Sequence, residues 1–168
     1  MENTKPLFST AAAKKIKEML SDGSIAMFCC NLDAKPFDVS PLATQGVDED
    51  GTVWFFSVKD SDRNGYLAKD SRVQLIYGNS GDSDYLSLYG KAEIVNDLEK
   101  VKELWSVFAK VWFQGGPTDP RLTLVRFDPS EGFYWDTKNG KMVATAKMVA
   151  SLVTGKTMDD SVEGTLSL

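Results

Sequence analysis

Apolar and polar positions along the first third of the chain recur with the periods of one helix and three strands. The helix is predicted to begin at a cap on Ser9 or Thr10 and to end at Ser21, with Gly23 after it. Short apolar or alternating runs predict strands at residues 24–30, 36–45 and 52–57. Turn residues separate these runs, so the strands are predicted to form an antiparallel meander. Pro41 falls inside the second strand, which predicts an edge, a bulge or a break that faces a ligand.

The same alternation predicts further strands in the second half of the chain. They are expected at residues 72–77, 85–95, 122–127 and 132–136. Asp128 to Ser130 has turn composition and is expected to separate the last two. Gly90 predicts a bulge or a sharp bend in the longest strand. One face of that strand is predicted to be apolar, with Leu86, Leu88, Ala92 and Ile94 on it.

Helical periodicity returns after residue 95. Asn96 and Glu99 match a capping box, and apolar residues then recur at three and four as far as Trp112, which predicts one continuous helix. Trp105 and Phe108 are expected to pack from its apolar face. A last helix is predicted at residues 141–153. Residues 156–168 have little apolar content and are expected to form a loose tail.

Six or seven short antiparallel strands with a few helices predict a small barrel of the α+β class. A chain of 168 residues is expected to fold as one domain, here residues 1–155 followed by the tail at 156–168. Hydrophobic residues make up 42% and charged residues 26% of the sequence, as in a soluble globular protein. No apolar run approaches the ~18 residues of a membrane span, and no signal-peptide pattern opens the sequence. A cytoplasmic location with no membrane partner is therefore expected.

Composition excludes several kinds of chemistry. The net charge of −5 argues against general nucleic-acid binding, which needs a basic face. The chain has no histidine, which excludes a Ser-His-Asp triad, a Cys-His pair and a histidine-ligated metal. Cys29 and Cys30 are adjacent, do not form a CxxC motif, and are too few for a structural zinc. They are expected to be small buried residues, and any redox chemistry would need a cofactor.

One stretch combines an aromatic strand with the start of a short helix. The strand at 52–57 runs into helix-capping residue types, and Ser57, Lys59, Ser61 and Arg63 surround the turn. Two hydroxyls, two cations and the amides of a helix N-terminus together suit a phosphate group. In the alternative interpretation, Ser61 or Asp60 only caps the helix and the two cations are solvated.

Four stretches of the sequence resemble the FMN-binding split-barrel proteins related to pyridoxamine 5′-phosphate oxidase, and within them the general stress protein 26 group. They are PFDVSPLATQ, the block GTVWFFSVKDSDRNGYLAKDSRVQLIY, YLSLYGKAEIV with the following DLEKVKELWSVFAKVWFQGGPTDP, and EGFYWDTKNGKMV. Together they cover residues from about 24 to 153. The long aromatic block and the WFQGGP loop are the most specific parts of the resemblance.

The resemblance implies a homodimer with two FMN sites at the subunit interface. The second strand would run along the flavin ring, and the strand-to-helix turn would hold the phosphate. The fifth strand would add a polar side chain, and the partner subunit would add an indole near the ring. The second-strand residues are Ser40, Pro41 and Leu42, and those of the turn are Phe56, Ser57, Ser61, Asp62 and Arg63. The polar side chain of the fifth strand is Tyr85, and the indole of the partner subunit is Trp135 or Trp112.

The chain departs from the oxidase branch of this family. That branch carries an arginine in the second strand and an Arg-x-His pair near its C-terminus, whereas this chain has Ser40 and no histidine. Pyridoxamine phosphate oxidase activity is therefore not expected. Two functions remain open: an FMN-dependent oxidoreductase acting on a small substrate, and a non-catalytic protein that binds flavin or another planar phosphorylated ligand. The only acid–base candidates are Tyr85, Tyr89 and Tyr134.

Trp135 and Trp112, the two candidates for the indole near the ring, are expected to play different roles. Trp135 alternates with Tyr134 along its strand, so one of these side chains must leave the barrel, and Trp135 is predicted to reach the flavin of the partner subunit. Trp112 ends the predicted helix and is expected to point inward, where it would contribute to stability.

Overall fold

The first helix follows directly from a pair of very short strands. In a computed structural model, which describes residues 3–79, 84–137 and 161–168, these are β1 (Asn3–Thr4), β2 (Leu7–Phe8) and α1 (Ser9–Met19). The buried face of α1 carries Ala12, Ala13 and Ile16, as its apolar stripe predicts. The predicted cap on Ser9 or Thr10 does not form: Phe8 occupies the N-cap position, with no side-chain bond. Because β2 is paired through Phe8, the chain passes from a strand straight into the helix.

The remaining strands close a barrel. Their bounds are β3 (Ile25–Cys30), β4 (Asp38–Val47), β5 (Val53–Val58), β6 (Arg72–Asn79), β7 (Asp84–Val95), β8 (Leu122–Thr137) and β9 (Ser161–Ser167). The pairing order β5-β4-β3-β6-β7-β8 is antiparallel throughout and returns from β8 to β5. The predicted α+β split barrel with six or seven strands is thereby confirmed. A short helix, α2 (Asp62–Leu67), connects β5 to β6.

Large apolar side chains from every side of the barrel fill its interior. Phe28, Phe55 and Phe127 are fully buried, and the first two meet edge to face with ring centroids 5.6 Å apart. Leu86, Leu88 and Ala92 are buried on β7 as predicted, but Ile94 is exposed. Beyond Lys91, β7 has no strand partner on the β6 side and pairs only with β8, so its end is less covered.

Pro41 lies on a free edge, one of the three alternatives that its position predicts. In β4, residues 38–43 pair with β3, with Pro41 opposite Met27, and pairing with β5 begins only at Thr44. The register shifts between Thr44 and Gly46, where the strand passes from one neighbour to the other. A proline is tolerated at such a position because its missing N–H has no ladder partner to lose.

β8 is a single strand of 16 residues, so the predicted turn at Asp128 to Ser130 is wrong. The strand pairs with β7 along its length and absorbs the turn-like residues in a register shift opposite Tyr89 and Gly90. A Cβ on Gly90 would lie 2.2 Å from the carbonyl oxygen of Asp128, so the bulge requires glycine there. Pairing with β7 at Asp128 and Pro129, together with the β5 and β9 partners of the flanking residues, keeps the segment extended despite its turn composition.

The predicted loose tail is also wrong for residues 161–167, which form β9. This strand pairs with β8 over its whole length and with β1 and β2 on its other side. Val162 and Leu166 are buried on β9, with polar residues between them. A few apolar side chains on one face of the strand are therefore enough to hold it on the sheet. The predicted helix at 141–153 lies outside the described residues.

The predicted helix after residue 95 is two short helices, α3 (Leu98–Leu104) and α4 (Ala109–Trp112), followed by a 3-10 turn at Gly116–Thr118. Asp97, not Asn96, caps α3 by accepting a hydrogen bond from the Lys100 amide at 2.9 Å. The helix ends at Trp105, whose extended backbone lets the indole pack on Phe56 at 6.1 Å. Phe108, expected to pack, is 82% exposed because the break turns it outward.

Within the described ranges, none of the helices has the length and apolar character needed to cross a bilayer.

Candidate functional site

The turn from β5 to α2 is held by a cap. The Oγ of Ser61 accepts a hydrogen bond from the Asn64 amide at 3.3 Å, and Ser61 is the N-cap of α2. This is the capping role that the alternative interpretation of the sequence gives to Ser61. Ser61 also lies next to the expected phosphate-binding hydroxyl, since its Oγ is 3.4 Å from the Oγ of Ser57.

Ser57 is fixed by a buried polar network that the sequence analysis missed. Its hydroxyl donates to Oδ1 of Asn64 at 2.8 Å, and Nδ2 of Asn64 donates to Oγ1 of Thr123 at 2.9 Å. Thr123 in turn donates to the carbonyl oxygen of Ser57 at 3.0 Å. The only sequence signal for this role is that asparagine is a poor helix former yet lies inside α2. The network orients the end of β5 toward the first turn of α2.

Arg63 brings a cation to the same place. Its Nη1 donates to Oγ of Ser57 at 3.4 Å, and its guanidinium lies over the Phe28 ring. Burial lowers the pKa of Arg63 from its ordinary value, while the nearby Cys30 and Asp38 act in the opposite direction. The Nε of Arg63 is buried and has no hydrogen-bond partner. Because arginine stays protonated at any physiological pH, this is a permanent, partly unsatisfied positive charge.

Lys59 and Asp62 flank the turn without joining Arg63. Both side chains are exposed and neither lines the cavity described below. Only the backbone of Lys59 contributes, through an amide that donates to the carbonyl oxygen of Arg121 at 2.7 Å. Of the two cations expected at this turn, Lys59 and Arg63, only Arg63 lines the cavity within the described part of the chain.

A cavity of about 410 Å³ opens beside this turn, and we call it the β4–α4 cavity after two of its walls. β4 forms one wall, β5 forms the floor, and α4 with its flanking residues forms the opposite wall. Six residues that the sequence analysis singled out line it: Pro41, Leu42, Phe56, Ser57, Arg63 and Trp112. Other lining residues were not predicted from the sequence, among them Ile25, Gln45, Phe108, Ala109 and Phe113. The last three could not be predicted from helical spacing, because the break before α4 brings them to the cavity.

Ser40 lies next to this cavity without lining it. It pairs with Phe28 across β3 and β4, the residue whose ring Arg63 covers. Its Oγ is buried and has no hydrogen-bond partner. Ser40 and Arg63, each with an unsatisfied buried polar atom, are thus both neighbours of Phe28.

Tyr85 and Trp135 do not line the β4–α4 cavity of their own chain. They are cross-strand partners on β7 and β8, and Trp135 is 38% exposed. Trp135 packs on Phe133 with ring centroids 4.6 Å apart, while Tyr134 between them is buried, as alternation predicts. Tyr85 instead lines a second cavity of about 290 Å³ that shares Ile25 with the first.

Trp112 differs from its expected position. Its side chain is 74% exposed and lines the β4–α4 cavity, rather than pointing inward. The reason is the break before α4, which gives this short helix a different face toward the barrel from the one that a continuous helix would present.

The outer face of β3, β4 and β6 is apolar and exposed. Ile25, Met27, Val39 and Ile76 are between 43% and 53% exposed. Met27 lies at the centre, opposite Pro41 on one side and Ile76 on the other. We call these four residues and Pro41 the barrel-face patch. It adjoins the β4–α4 cavity through Ile25 and Pro41.

The two cysteines are inert structural residues. Both are buried, and burial together with the charge of Asp38 raises the pKa of the Cys30 thiol to about 12. The same two causes raise the pKa of Cys29. Neither thiol provides a nucleophile near neutral pH.

Residues 11–159 match the sequence model of the family described as "Pyridoxamine 5′-phosphate oxidase like". The fold matches the crystal structure of a protein named general stress protein 26 from Jannaschia sp. CCS1 with a TM-score of 0.78 and 26% identity, over 94% of this chain and 98% of that one. It also matches the general stress FMN/FAD binding protein of Xanthomonas citri with a TM-score of 0.65 and 26% identity, over 77% of this chain and 91% of that one.

One sequence relative is longer than this chain and matches it over part of its length. Protein bli-3 of Neurospora crassa is 26% identical over 110 residues, which are 61% of this chain and 53% of that protein. The chain thus spans about half the length of the curated relative that it matches.

Proposed function

Because the chain belongs to the pyridoxamine 5′-phosphate oxidase-like family, we propose that it binds FMN in the β4–α4 cavity and serves as an FMN-dependent oxidoreductase on a small substrate. The similar protein of Xanthomonas citri is described as binding FMN or FAD. The Jannaschia protein is described as a general stress protein, so a stress-related role is part of the proposal.

The observation that carries the proposal is the pair of unsatisfied polar atoms beside the cavity. Among the described side chains, Nε of Arg63 and Oγ of Ser40 are the buried nitrogen and oxygen atoms without a hydrogen-bond partner. Buried polar groups are almost always bonded in native proteins, and leaving one unsatisfied costs about 1–3 kcal/mol. A ligand in the cavity with acceptor oxygens would relieve Arg63, which lines it, whereas Ser40 lies next to the lining. The phosphate and ribityl chain of FMN carry such oxygens.

The donor set fits a phosphate monoester. Arg63 would pair with the dianion, and the hydroxyl of Ser61, 3.4 Å from that of Ser57, would add a neutral donor. Ser57 already donates its single hydroxyl proton to Oδ1 of Asn64, so it would donate to the phosphate only by giving up that hydrogen bond. The chemistry of the turn therefore supports an anion at the cavity's inner end.

The remaining walls suit a flat, apolar ring. Pro41 and Leu42 line one side of the cavity and Phe56 its floor, while the exposed indole of Trp112 lies at the opposite wall. Aromatic and aliphatic walls with a few placed polar groups are the usual make-up of cofactor sites. Bound FMN supplies hydride or single-electron transfer. The residues of the chain bind it, orient it and exclude water.

Non-catalytic flavin binding is the second candidate, and one observation favours it. The described lining of the cavity includes no Asp, Glu, Lys, Tyr or Cys, so no side chain there except Arg63 is charged and none can act as a general acid or base near neutral pH. Tyr134, an acid–base candidate from the sequence, is buried against the carbonyl oxygen of Lys5 at 2.8 Å. A redox reaction in this cavity would depend on the cofactor for all of its proton and electron chemistry.

The barrel-face patch supports a homodimer as part of the proposal. Contiguous exposed apolar side chains of this kind mark interaction surfaces in soluble proteins. A second copy of the chain on this face would border the β4–α4 cavity, since Ile25 and Pro41 belong to both. In such a dimer the exposed Trp135 of the partner subunit would be free to approach the flavin ring.

The test is to purify the protein, add FMN, and record absorption and fluorescence. Binding with dithionite-bleachable flavin bands supports the flavin proposal. Bleaching by NADH or NADPH under anaerobic conditions, faster than for free FMN, supports an oxidoreductase. Binding without such reduction supports the non-catalytic alternative. A protein that binds neither FMN nor riboflavin at 100 µM ligand would refute the flavin proposal altogether.

A further inference from the structure

Asp119 is a buried carboxylate that organises the loop after α4. Its Oδ2 accepts from the Gly115 amide at 3.1 Å, and its Oδ1 accepts from the Arg121 amide at 2.9 Å. The guanidinium of Arg121 donates to the same carboxylate through Nε at 3.1 Å and Nη2 at 2.9 Å. A Cβ on Gly115 would lie 3.1 Å from Asp119, so the loop is closely wrapped around this side chain. The carboxylate is thus fully satisfied and holds Arg121 in one orientation.

Arg121 bonds to α4, one wall of the β4–α4 cavity, and to the turn that follows β5, the floor of the cavity. Its Nη2 donates to the carbonyl oxygen of Trp112 at 3.2 Å, at the C-terminal end of α4. Its own carbonyl oxygen accepts from the Lys59 amide at 2.7 Å, in the turn that leads to Ser61 and α2. One residue therefore bonds to the wall that carries Trp112 and to the turn that carries Arg63.

α4 depends on such a support. It has four residues, and helices this short do not form on their own in water. The last carbonyls of a helix have no partner within it, and an arginine at that end satisfies one of them and complements the helix dipole. Ala109 is the buried residue of α4, so packing alone provides little to fix its orientation.

We propose that Asp119 and Arg121 are positioning residues that fix α4 and its Trp112 side chain at a set distance from the β5–α2 turn, and so set the width of the β4–α4 cavity for a flat ring. The proposal rests on flavin binding as the function of this cavity. It assigns the two residues a role distinct from that of Arg63: they act on the wall that faces the ring, not on the phosphate. The acidic side chain orients the arginine, and the arginine holds the wall.

The experiment compares Arg121→Ala and Asp119→Asn with Arg126→Ala. Arg126 is a matched control, since it lies on β8, the strand that begins directly after Arg121, and also bonds to an aspartate two residues away, Asp128, at 3.0 Å. Asp119→Asn keeps an acceptor for the Gly115 amide and removes the charge that orients Arg121, which tests the role with the loop preserved. Two readouts are used: equilibrium affinity for FMN and for riboflavin, and amide hydrogen exchange at Phe113 and Gly115 without flavin.

The two test variants should lose about threefold to thirtyfold in affinity, equally for FMN and riboflavin, and the control less than twofold. Exchange at Phe113 should quicken in Arg121→Ala and stay unchanged in Arg126→Ala. Unchanged affinities, or a loss confined to FMN, would overturn the positioning role. If the wild-type protein binds no flavin, the proposed function fails, and the exchange readout still decides whether Arg121 holds α4.

Discussion

The guanidinium of Arg63 lies over the ring of Phe28, with Cζ 5.8 Å from the ring centroid. The face of an aromatic ring attracts a cation, so Phe28 holds the charge in place without neutralising it. A carboxylate in that position would satisfy the arginine and compete with an incoming anion. The residue pair therefore keeps a buried positive charge available at the inner end of the β4–α4 cavity.

The first prediction tests that charge. Arg63→Ala should weaken FMN binding by about 1.5–3 kcal/mol, the range for a hydrogen bond to a charged group, and riboflavin binding by much less. Lys59→Ala is the control, because Lys59 is a neighbouring cation whose side chain is exposed and does not line the cavity. Isothermal titration with both ligands measures the difference. Equal losses for FMN and riboflavin would show that Arg63 does not face the phosphate.

The second prediction concerns the barrel-face patch. Light scattering after size exclusion should give twice the chain mass of 18.5 kDa for the wild-type protein. Met27→Glu places a charge opposite both Pro41 and Ile76 and should shift the protein to a monomer. Leu98→Glu changes a similarly exposed leucine on α3 and should leave the dimer intact. A wild-type monomer at micromolar concentration, or a dimer that survives Met27→Glu, would refute this interface.

The third prediction concerns Asp119 and pH. Hydrogen bonds from Arg121, then from the amides of Arg121 and Gly115, hold the pKa of this carboxyl well below its ordinary value. A carboxyl whose pKa is depressed in the folded state stabilises the fold fully above its unfolded pKa, about 3.9, and loses that contribution as the pH falls below it. Asp119→Asn should therefore have a lower free energy of unfolding than wild type at pH 7. The difference between the two free energies should narrow between about pH 4 and pH 2.

Urea unfolding at pH 7, 5 and 3 measures this gap. Asp60→Asn, a change at an exposed aspartate, is the control and should show no comparable narrowing. A gap for Asp119→Asn that is as large at pH 3 as at pH 7 would mean that its charge does not stabilise the fold.

Local periodicity was enough to predict the barrel strands and the turn from β5 into α2. The strand through Phe56 and the cap at Ser61 are encoded by neighbouring residues, so their positions follow from spacing alone. The position of Pro41 also follows from local sequence. Because proline has no amide hydrogen to donate, a strand can hold it only at a few kinds of position, and the free edge that it occupies was one of those predicted. These features depend on short stretches of chain, whose preferences are strong and independent of what packs around them.

The errors fall where distant segments decide the structure. Val162 and Leu166 look like a sparse tail until Tyr134 and β8 provide a surface for them. The buried network through Asn64 is completed by Thr123, which lies 59 residues away and accepts a hydrogen bond from Asn64. The break before α4 arises because Trp105 packs on Phe56 of the barrel. Helical spacing cannot show a contact of that kind, so the wall with Phe108 and Phe113 was missed.

The fourth prediction decides which indole meets the ring. Trp112 is exposed and lines the cavity of its own chain, so its loss should cost little stability, within about 0.5 kcal/mol as for other surface changes. This replaces the expectation from sequence that Trp112 is a buried packing residue. Trp112→Ala should weaken flavin binding by about 1–3 kcal/mol, the range for one stacked aromatic, and raise the fluorescence of bound flavin.

Trp135 should act differently, because it does not line the β4–α4 cavity of its own chain and is proposed to reach the flavin of the partner subunit. Trp135→Ala should raise bound-flavin fluorescence in the wild-type dimer and have no effect in the Met27→Glu monomer at saturating flavin. Trp112→Ala should act in both backgrounds, since its indole belongs to the same chain as the cavity. A Trp135→Ala effect that persists in the monomer would place that indole within its own chain's site. No change from either substitution, with flavin still bound, would mean that neither indole stacks on the ring.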